Sequence, residues 1–197
     1  MSNTADRIQL RRELRARRRG LSEWQQRHAA LRIARRLQHH PWVHQAQHIA
    51  LYLSNDGEVS LQPLIHLLWL QNKHVYLPVV HPLQQRMRFA LYRRHSLMRR
   101  NRFDIPEPRT TKHRAPYELD LVLLPLVGFD ALGQRLGMGG GFYDRTFARR
   151  GMRPLLLGIA HTCQQVARLP NAPWDVPLNA IVTDTAWISP RRPHVPS

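Results

Sequence analysis

The sequence has one cysteine, Cys163, so no disulfide can form within the chain, and neither a Cys-x-x-Cys pair nor a cysteine–histidine metal cluster exists. That usage points to a reducing compartment. Long hydrophobic runs are missing too: the longest, around Leu64 to Leu70 and Leu121 to Phe129, are too short to span a bilayer. The N-terminal MSNTADRIQLRRELRARRR lacks the apolar core of a secretory signal. A soluble, cytoplasmic protein without a membrane partner is expected. Acidic residues are scarce, 13 against 30 basic ones, and Lys73 and Lys112 are the only lysines. The formal charge of +17 is therefore almost wholly guanidinium, which attracts polyanions without choosing among nucleic acid, phosphorylated ligands and acidic headgroups. An RNP-like aromatic pattern, a KH-type loop and a zinc knuckle are all lacking. An RNA-binding reading therefore rests on charge alone, and nucleic acid is not the expected partner.

What is present is enough for one core: 197 residues, 43% of them apolar. A single unit over 1–190 is expected, with 191–197 as a flexible tail. Leu10 and Leu14, spaced i, i+4, predict a helix from Asp6 to Gly20. Ser22 with Gln25 three residues on predicts a capped second helix that Pro41 ends. Strands are expected at His48 to Ser54, from Lys73, from Met87, over DLVLLPLVGF from Asp120, from Pro154 and from Ala180. Helices are expected over Leu61 to Leu70, Phe142 to Arg149 and around Gln164 to Arg168, with Leu97 to Pro116 mostly loop. The alternation argues for an α/β fold with a mainly parallel sheet flanked by helices.

Four of the ten glycines fall within RLGMGGGFYDR, residues 135–145. A P-loop needs Lys-Ser/Thr after its last glycine, and Phe142-Tyr143 stand there instead. The dinucleotide fingerprint would need glycine at 142 and a turn directly off the strand, whereas Gly128 to Gln134 intervene. What remains is a glycine cluster leading into a helix and bracketed by Arg135 and Arg145, a seat for an anion on bare backbone amides. Asp144 suits such a seat if a magnesium ion lies between carboxylate and phosphate. A metal nucleotide fits this combination, and a tight turn without a ligand is the plain alternative. His40, His44 and His48 recur every four residues, but Pro41 interrupts them, so a metal role is not expected. Cys163 reads as a small buried hydrophobe.

The stretch LVLLPLVGFDALGQRLGMGGGFYDR, with RRELRARRRGLS, LYLSNDGEVS, VYLPVV, MRF, DIPEP and DVPLNAIVTD in order around it, resembles the 5-formyltetrahydrofolate cyclo-ligase (5,10-methenyltetrahydrofolate synthetase) family, over about Arg11 to Asp184. The resemblance implies a Rossmann-like three-layer domain (NagB/RpiA/CoA-transferase-like) and ATP- and Mg2+-dependent conversion of 5-formyltetrahydrofolate to 5,10-methenyltetrahydrofolate, with ADP and phosphate released. It implies Arg11 at the nucleotide phosphates, in place of the usual lysine, and Arg15 shared between nucleotide and substrate. Arg135, Gly137, Gly139, Gly140, Gly141 and Tyr143 match the nucleotide loop, and Met138 through Phe142 also face the folate by analogy. Phe142 stands where tyrosine is frequent. Leu53 and Glu58 fall on the substrate side, and Asp144 and Asp175 on metal positions. Asn179 replaces a frequent aspartate. Arg15, Arg135, Tyr143 and Asp144 are thereby implied at the reacting groups, and a monomer acting on small molecules is expected. Read without the resemblance, Arg11 and Arg15 could form a solvated helix face, Glu58 and Asp175 could be turn residues, and the same fold could serve a different phosphorylated substrate.

Overall fold

The apolar runs become the inner strands of one sheet. The computed structural model describes residues 2–80, 86–101, 105–148, 151, 153–169 and 174–190. In chain order the elements are α1 (Ser2–Arg19), α2 (Glu23–Gln38), α3 (Pro41–Gln45), β1 (His48–Ala50), α4 (Gln62–Leu70), β2 (His74–Val80), β3 (Met87–Tyr92), β4 (Met98–Arg100), β5 (Pro106–Pro108) and β6 (His113–Arg114). There follow β7 (Leu121–Pro125), β8 (Gly128–Asp130), β9 (Arg135–Leu136), α5 (Phe142–Phe147), β10 (Leu155–Ile159), β11 (Gln165–Val166), β12 (Ala180–Val182) and β13 (Trp187–Ile188).

The main sheet runs β13-β12-β10-β7-β1-β2-β3-β6, with β12, β10, β7, β1 and β2 mutually parallel and antiparallel neighbours at both edges. Side chains alternate between its two faces. Leu121 and Leu123 of β7 join Ile33, Leu37, Leu64 and Leu68 of α2 and α4, while Val122 and Leu124 join Phe89, Leu156 and Phe147 on the α5 side. The result is a three-layer α/β arrangement. Each of those β7 residues is at most 1% exposed, which stabilises the fold by up to about 1.5–3 kcal/mol per side chain.

Local chemistry accounts for several boundaries. Ser22 Oγ accepts from Gln25 N at 3.2 Å while Gln25 Oε1 accepts from Ser22 N at 2.8 Å, a reciprocal cap that starts α2. Pro41 does more than end a helix: it is the first residue of α3, where its missing N–H costs nothing, and His40 Nδ1 accepts from Trp42 N. The Asp120 run is not one strand. After Pro125 the chain leaves the main sheet, and the Gln164 side chain donates to Leu126 O at 2.6 Å and Val127 O at 2.9 Å across the break.

Beyond it, β8 and β9 form a hairpin whose turn is organised by buried Asp130. Its carboxylate accepts from Leu132 N, Gln134 N and Leu169 N at 3.0, 2.9 and 3.0 Å. The expected helix at Gln164 to Arg168 is instead a 3-10 turn, Thr162–Gln164, followed by β11 paired with β8. The expected loop at 97–116 contains the β4–β5 hairpin and β6, edge pairings that accommodate Pro106 and Pro108. The last expected residue of α5, Arg149, and the tail 191–197 lie outside the described residues. Helix α1 caps the carboxyl end of the sheet: Leu14 packs with Val127, Leu136 and Leu169, close enough that a Cβ on Gly128 would lie 2.4 Å from its Cδ1.

Candidate active site

The chain runs from β1 outward through β2 and β3, then returns to β7 and runs outward the other way. The carboxyl ends of β1 and β7 are thus the switch point at which open α/β sheets bind ligands. Three segments converge there: the turn at 55–58 after β1, the glycine loop at 137–141, and the inner face of α1.

That inner face is built of arginines. Arg7, Arg11, Leu14 and Arg18 follow the helical repeat, with Arg15 beside them. Arg7 donates from both terminal nitrogens to Asp175 Oδ2 at 3.2 Å. Arg11 Nε donates to Gly137 O at 2.9 Å, and burial together with neighbouring Arg7 lowers its pKa, as expected where cations crowd. Arg15 Nε donates to Asp56 Oδ2 at 2.7 Å. Arg18, fully buried, donates to Asp56 O and Oδ2 at 2.8 Å each and to Leu126 O at 3.2 Å, and lies 3.7 Å from Glu58 Oε1.

The two acids of the 55–58 turn are driven apart. Burial works against charge on Asp56, but hydrogen bonds from Arg15, Arg18 and Arg19 prevail and bring its pKa down to about 2. Glu58, whose side chain is 10% exposed, is pushed up to about 7, chiefly by burial, with Arg18 opposing and Asp56 reinforcing the shift. Asn55 N donates to its Oε2 at 3.1 Å. Tyr143, half-buried on the first turn of α5, has its hydroxyl pKa raised by burial and by nearby Glu58, against Arg135. It stacks on Phe147 at 6.4 Å.

In the glycine loop, Gly141 caps α5 in the left-handed region at φ 63°, and a Cβ there would meet the Arg145 guanidinium at 2.6 Å. At Gly139, φ 98°, a Cβ would sit 3.6 Å from the Arg11 guanidinium carbon. Arginines of α1 and α5 are what lie so close to this backbone. Arg145 also donates to Gly140 O and lies over the Phe142 ring at 5.5 Å. Buried Arg135 forms an ion pair with Asp144 and donates through Nε to Val176 O at 3.2 Å. Asp144 Oδ1 in turn accepts from Val176 N at 3.0 Å. Asp144 is thus held by Arg135 and the Val176 amide, and Asp175, one residue before Val176 in the chain, by Arg7 of α1.

A sequence model described as the 5-formyltetrahydrofolate cyclo-ligase family matches residues 3–184. The chain belongs to that family. A 5-formyltetrahydrofolate cyclo-ligase of Haemophilus influenzae is 44% identical over 180 residues, 89% of this chain and 96% of the relative. One from Escherichia coli is 44% identical over 174 residues, 86% and 96% of the two chains. Among solved structures, Aquifex aeolicus 5,10-methenyltetrahydrofolate synthetase superposes with a TM-score of 0.84 at 29% identity, over 97% of this chain and 96% of that one. The protein is an enzyme of the ligase class.

Seen as a cyclo-ligase family member, the chain places its expected residues unequally. Arg11, Arg15, Arg135, Tyr143, Asp144, Asp175, Glu58 and the four glycines gather at the switch point through the contacts above, and Met138 joins them with its Sδ 3.9 Å from the Arg18 guanidinium. Leu53 is half-buried against the core on the α2 face, and Phe142 against the core on the α5 face. Asn179 lies just before β12, where its Oδ1 accepts from Leu156 N at 2.8 Å and so ties the approach to β12 to β10. His40 stacks on Trp187 and His48 on His74. Among the described residues no group of three or more histidines, cysteines or acids could hold a metal alone. A magnesium ion that arrives with phosphate oxygens and keeps its waters needs only one or two carboxylates.

Reading the sequence alone passes over Arg7, Arg18 and Asp56. The signal for the two arginines was available: both lie on the stripe that contains Leu14, which must face inward. No membrane-crossing helix exists among the described residues.

Proposed function

We propose that this protein is a 5-formyltetrahydrofolate cyclo-ligase that uses ATP with Mg2+. The observation that carries the reading is the junction at the β1–β7 switch point, where one helix joins a glycine loop of bare amides to a turn bearing a buried carboxylate. The triphosphate lies along Gly137 to Gly141, with Arg11, Arg15 and Arg135 as cations and the loop amides as donors. Asp144 and Asp175 hold Mg2+, which when bound neutralises phosphate charge. Glu58 accepts hydrogen bonds from the donor-rich pterin ring, and Leu53, Met138 and Phe142 supply its apolar surroundings.

In the reaction the formyl oxygen attacks the γ-phosphorus and the bond to ADP breaks. Nitrogen 10 then bonds to the activated formyl carbon, the carbon–oxygen bond breaks, phosphate leaves and the nitrogen 10 proton is lost. Phosphoryl transfer of this kind asks for alignment and charge stabilisation rather than a protein nucleophile. Fixed guanidiniums and a protonated Tyr143 hydroxyl provide both. The test is direct: purified protein with MgATP and 5-formyltetrahydrofolate is expected to generate the methenyl chromophore, and none without ATP. Protein that binds nucleotide yet makes no methenyl product would refute the reading.

A further inference from the structure

The buried arginine of α1 remains to be explained. Arg18 is fully buried, and a guanidinium loses so much hydration there that it is tolerated only with its donors engaged. Its partners come from three segments: Asp56 and Glu58 on the turn after β1, Leu126 O at the end of β7, and Met138 Sδ, 3.9 Å away in the glycine loop. These segments border the proposed folate site and are otherwise far apart in sequence. The backbone of the turn is also close, since a Cβ on Gly57 would meet Arg18 O at 3.2 Å.

We propose that Arg18 is a positioning residue for folate binding: its guanidinium clamps the 55–58 turn to the end of β7 and thereby fixes where Glu58 presents its carboxylate to the pterin. The inference rests on the cyclo-ligase reading. Arg18 touches neither substrate in it and acts through Glu58. The planar fork matters, because one side chain must satisfy a backbone carbonyl on each of two segments and a carboxylate at once, a task a lysine ammonium on a flexible stem performs poorly. Arg18 also supplies the main opposition to the burial that pushes Glu58 toward its neutral form. The other groups facing Glu58 are Arg15 from α1, Asp56 and Asn55 of its own turn, Tyr52 at the end of β1 and Tyr143 from α5. From the far side His161 Nε2 reaches Gly57 O at 3.2 Å.

A double-mutant cycle separates positioning from general support of the fold. The full-length wild type, Arg18→Lys, Glu58→Gln and the double variant are compared by calorimetric binding of 5-formyltetrahydrofolate without ATP, and by the KM for each substrate. Arg18→Lys should weaken folate binding about tenfold in the wild type and less than about threefold once Glu58 is glutamine, with the KM for ATP moved less than about threefold throughout. Equal losses with and without Glu58, or a loss confined to ATP, would overturn the assignment. Should Arg18→Lys fail to melt cooperatively, Asp56→Asn loosens the same clamp from the turn's side, and its cycle with Glu58→Gln is read by folate binding alone, because Asp56 also holds Arg15. Wild-type protein that binds 5-formyltetrahydrofolate and forms product while the cycle is additive disproves the role of Arg18 alone. Wild-type protein that does neither disproves the cyclo-ligase reading itself.

Discussion

Replacing Glu58 by glutamine should make the apo-protein more stable above neutral pH. The folded carboxyl ionises near 7 and the unfolded one at 4.5, so between those values the folded state holds a proton that the unfolded state releases. A raised folded pKa contributes stability that is complete below pH 4.5 and is lost as pH rises through 7. At 1.36 kcal/mol per pKa unit the loss is about 3 kcal/mol, and with only 10% of the side chain exposed there is little solvent screening to reduce it. Glutamine keeps the acceptor for Asn55 N and removes the titration.

The quantity to measure is the difference in unfolding free energy, variant minus wild type, across pH 4.5 to 8. Taking the difference cancels His161, whose pKa burial lowers and whose contribution has the opposite sign, and Asp56, which loses its stabilisation only below about pH 4. The difference should climb by about 3 kcal/mol, equivalent to roughly 6–12 °C in Tm for a chain of this size. A flat difference would show that Glu58 ionises like a surface acid and would remove the electrostatic basis of the folate site. The same variant should bind 5-formyltetrahydrofolate less well, because a carboxylate kept at a cost to stability is characteristic of binding positions.

Three further outcomes follow from single contacts. Asp144→Asn should lower turnover about 100-fold and raise the Mg2+ concentration giving half-maximal rate; unchanged magnesium dependence would take Asp144 out of the metal site. Gly141→Ala forces a side chain into the left-handed region and against Arg145, so it should cost about 1–2 kcal/mol of stability and raise the KM for ATP several-fold. Equal Tm values would show that the residue-141 turn relaxes. Ser22→Ala deletes one half of the α2 cap and should lower Tm by about 2–4 °C, from a loss of about 1 kcal/mol, with both KM values unchanged. Thermal melts and steady-state rates on the same preparation check all three.

What the sequence made legible is what neighbours along the chain decide. The Ser22–Gln25 pair announces α2 by itself, the unbroken apolar run at 121–124 matches a strand buried on both faces, and the clustered glycines mark a backbone approached closely. What it concealed is decided by partners far away in the chain. Nothing local in FDALGQ reveals that Asp130 will be buried and bind Leu169 N, holding the β8–β9 hairpin to the segment after β10. Gln164 reads as helix because its local pattern cannot show an amide serving the carbonyls of residues 126 and 127. Arg18 was hidden in plain view among five arginines in eight positions. Only the period set by Leu14 separates the inward ones from the solvated ones, and composition rewards reading them all as surface.

That division changes what the charge of +17 means. Part of it is not a surface field, since Arg7, Arg11, Arg15 and Arg18 are turned inward, and Arg7 and Arg135 are each paired with one of the carboxylates assigned to the metal. Each of these two carboxylates therefore already faces a guanidinium, Asp175 that of Arg7 and Asp144 that of Arg135. In the proposed complex those pairs exchange partners: the guanidiniums turn to phosphate oxygens while Asp144 and Asp175 turn to the cation that accompanies them. Free ATP would bring its charge against two carboxylates, and Mg2+ alone would draw from Arg7 and Arg135 the carboxylates they pair with. Only the salt satisfies both sets. On the proposed reading, a site built of internal ion pairs would thus favour the metal nucleotide over either component, without a preformed metal cage.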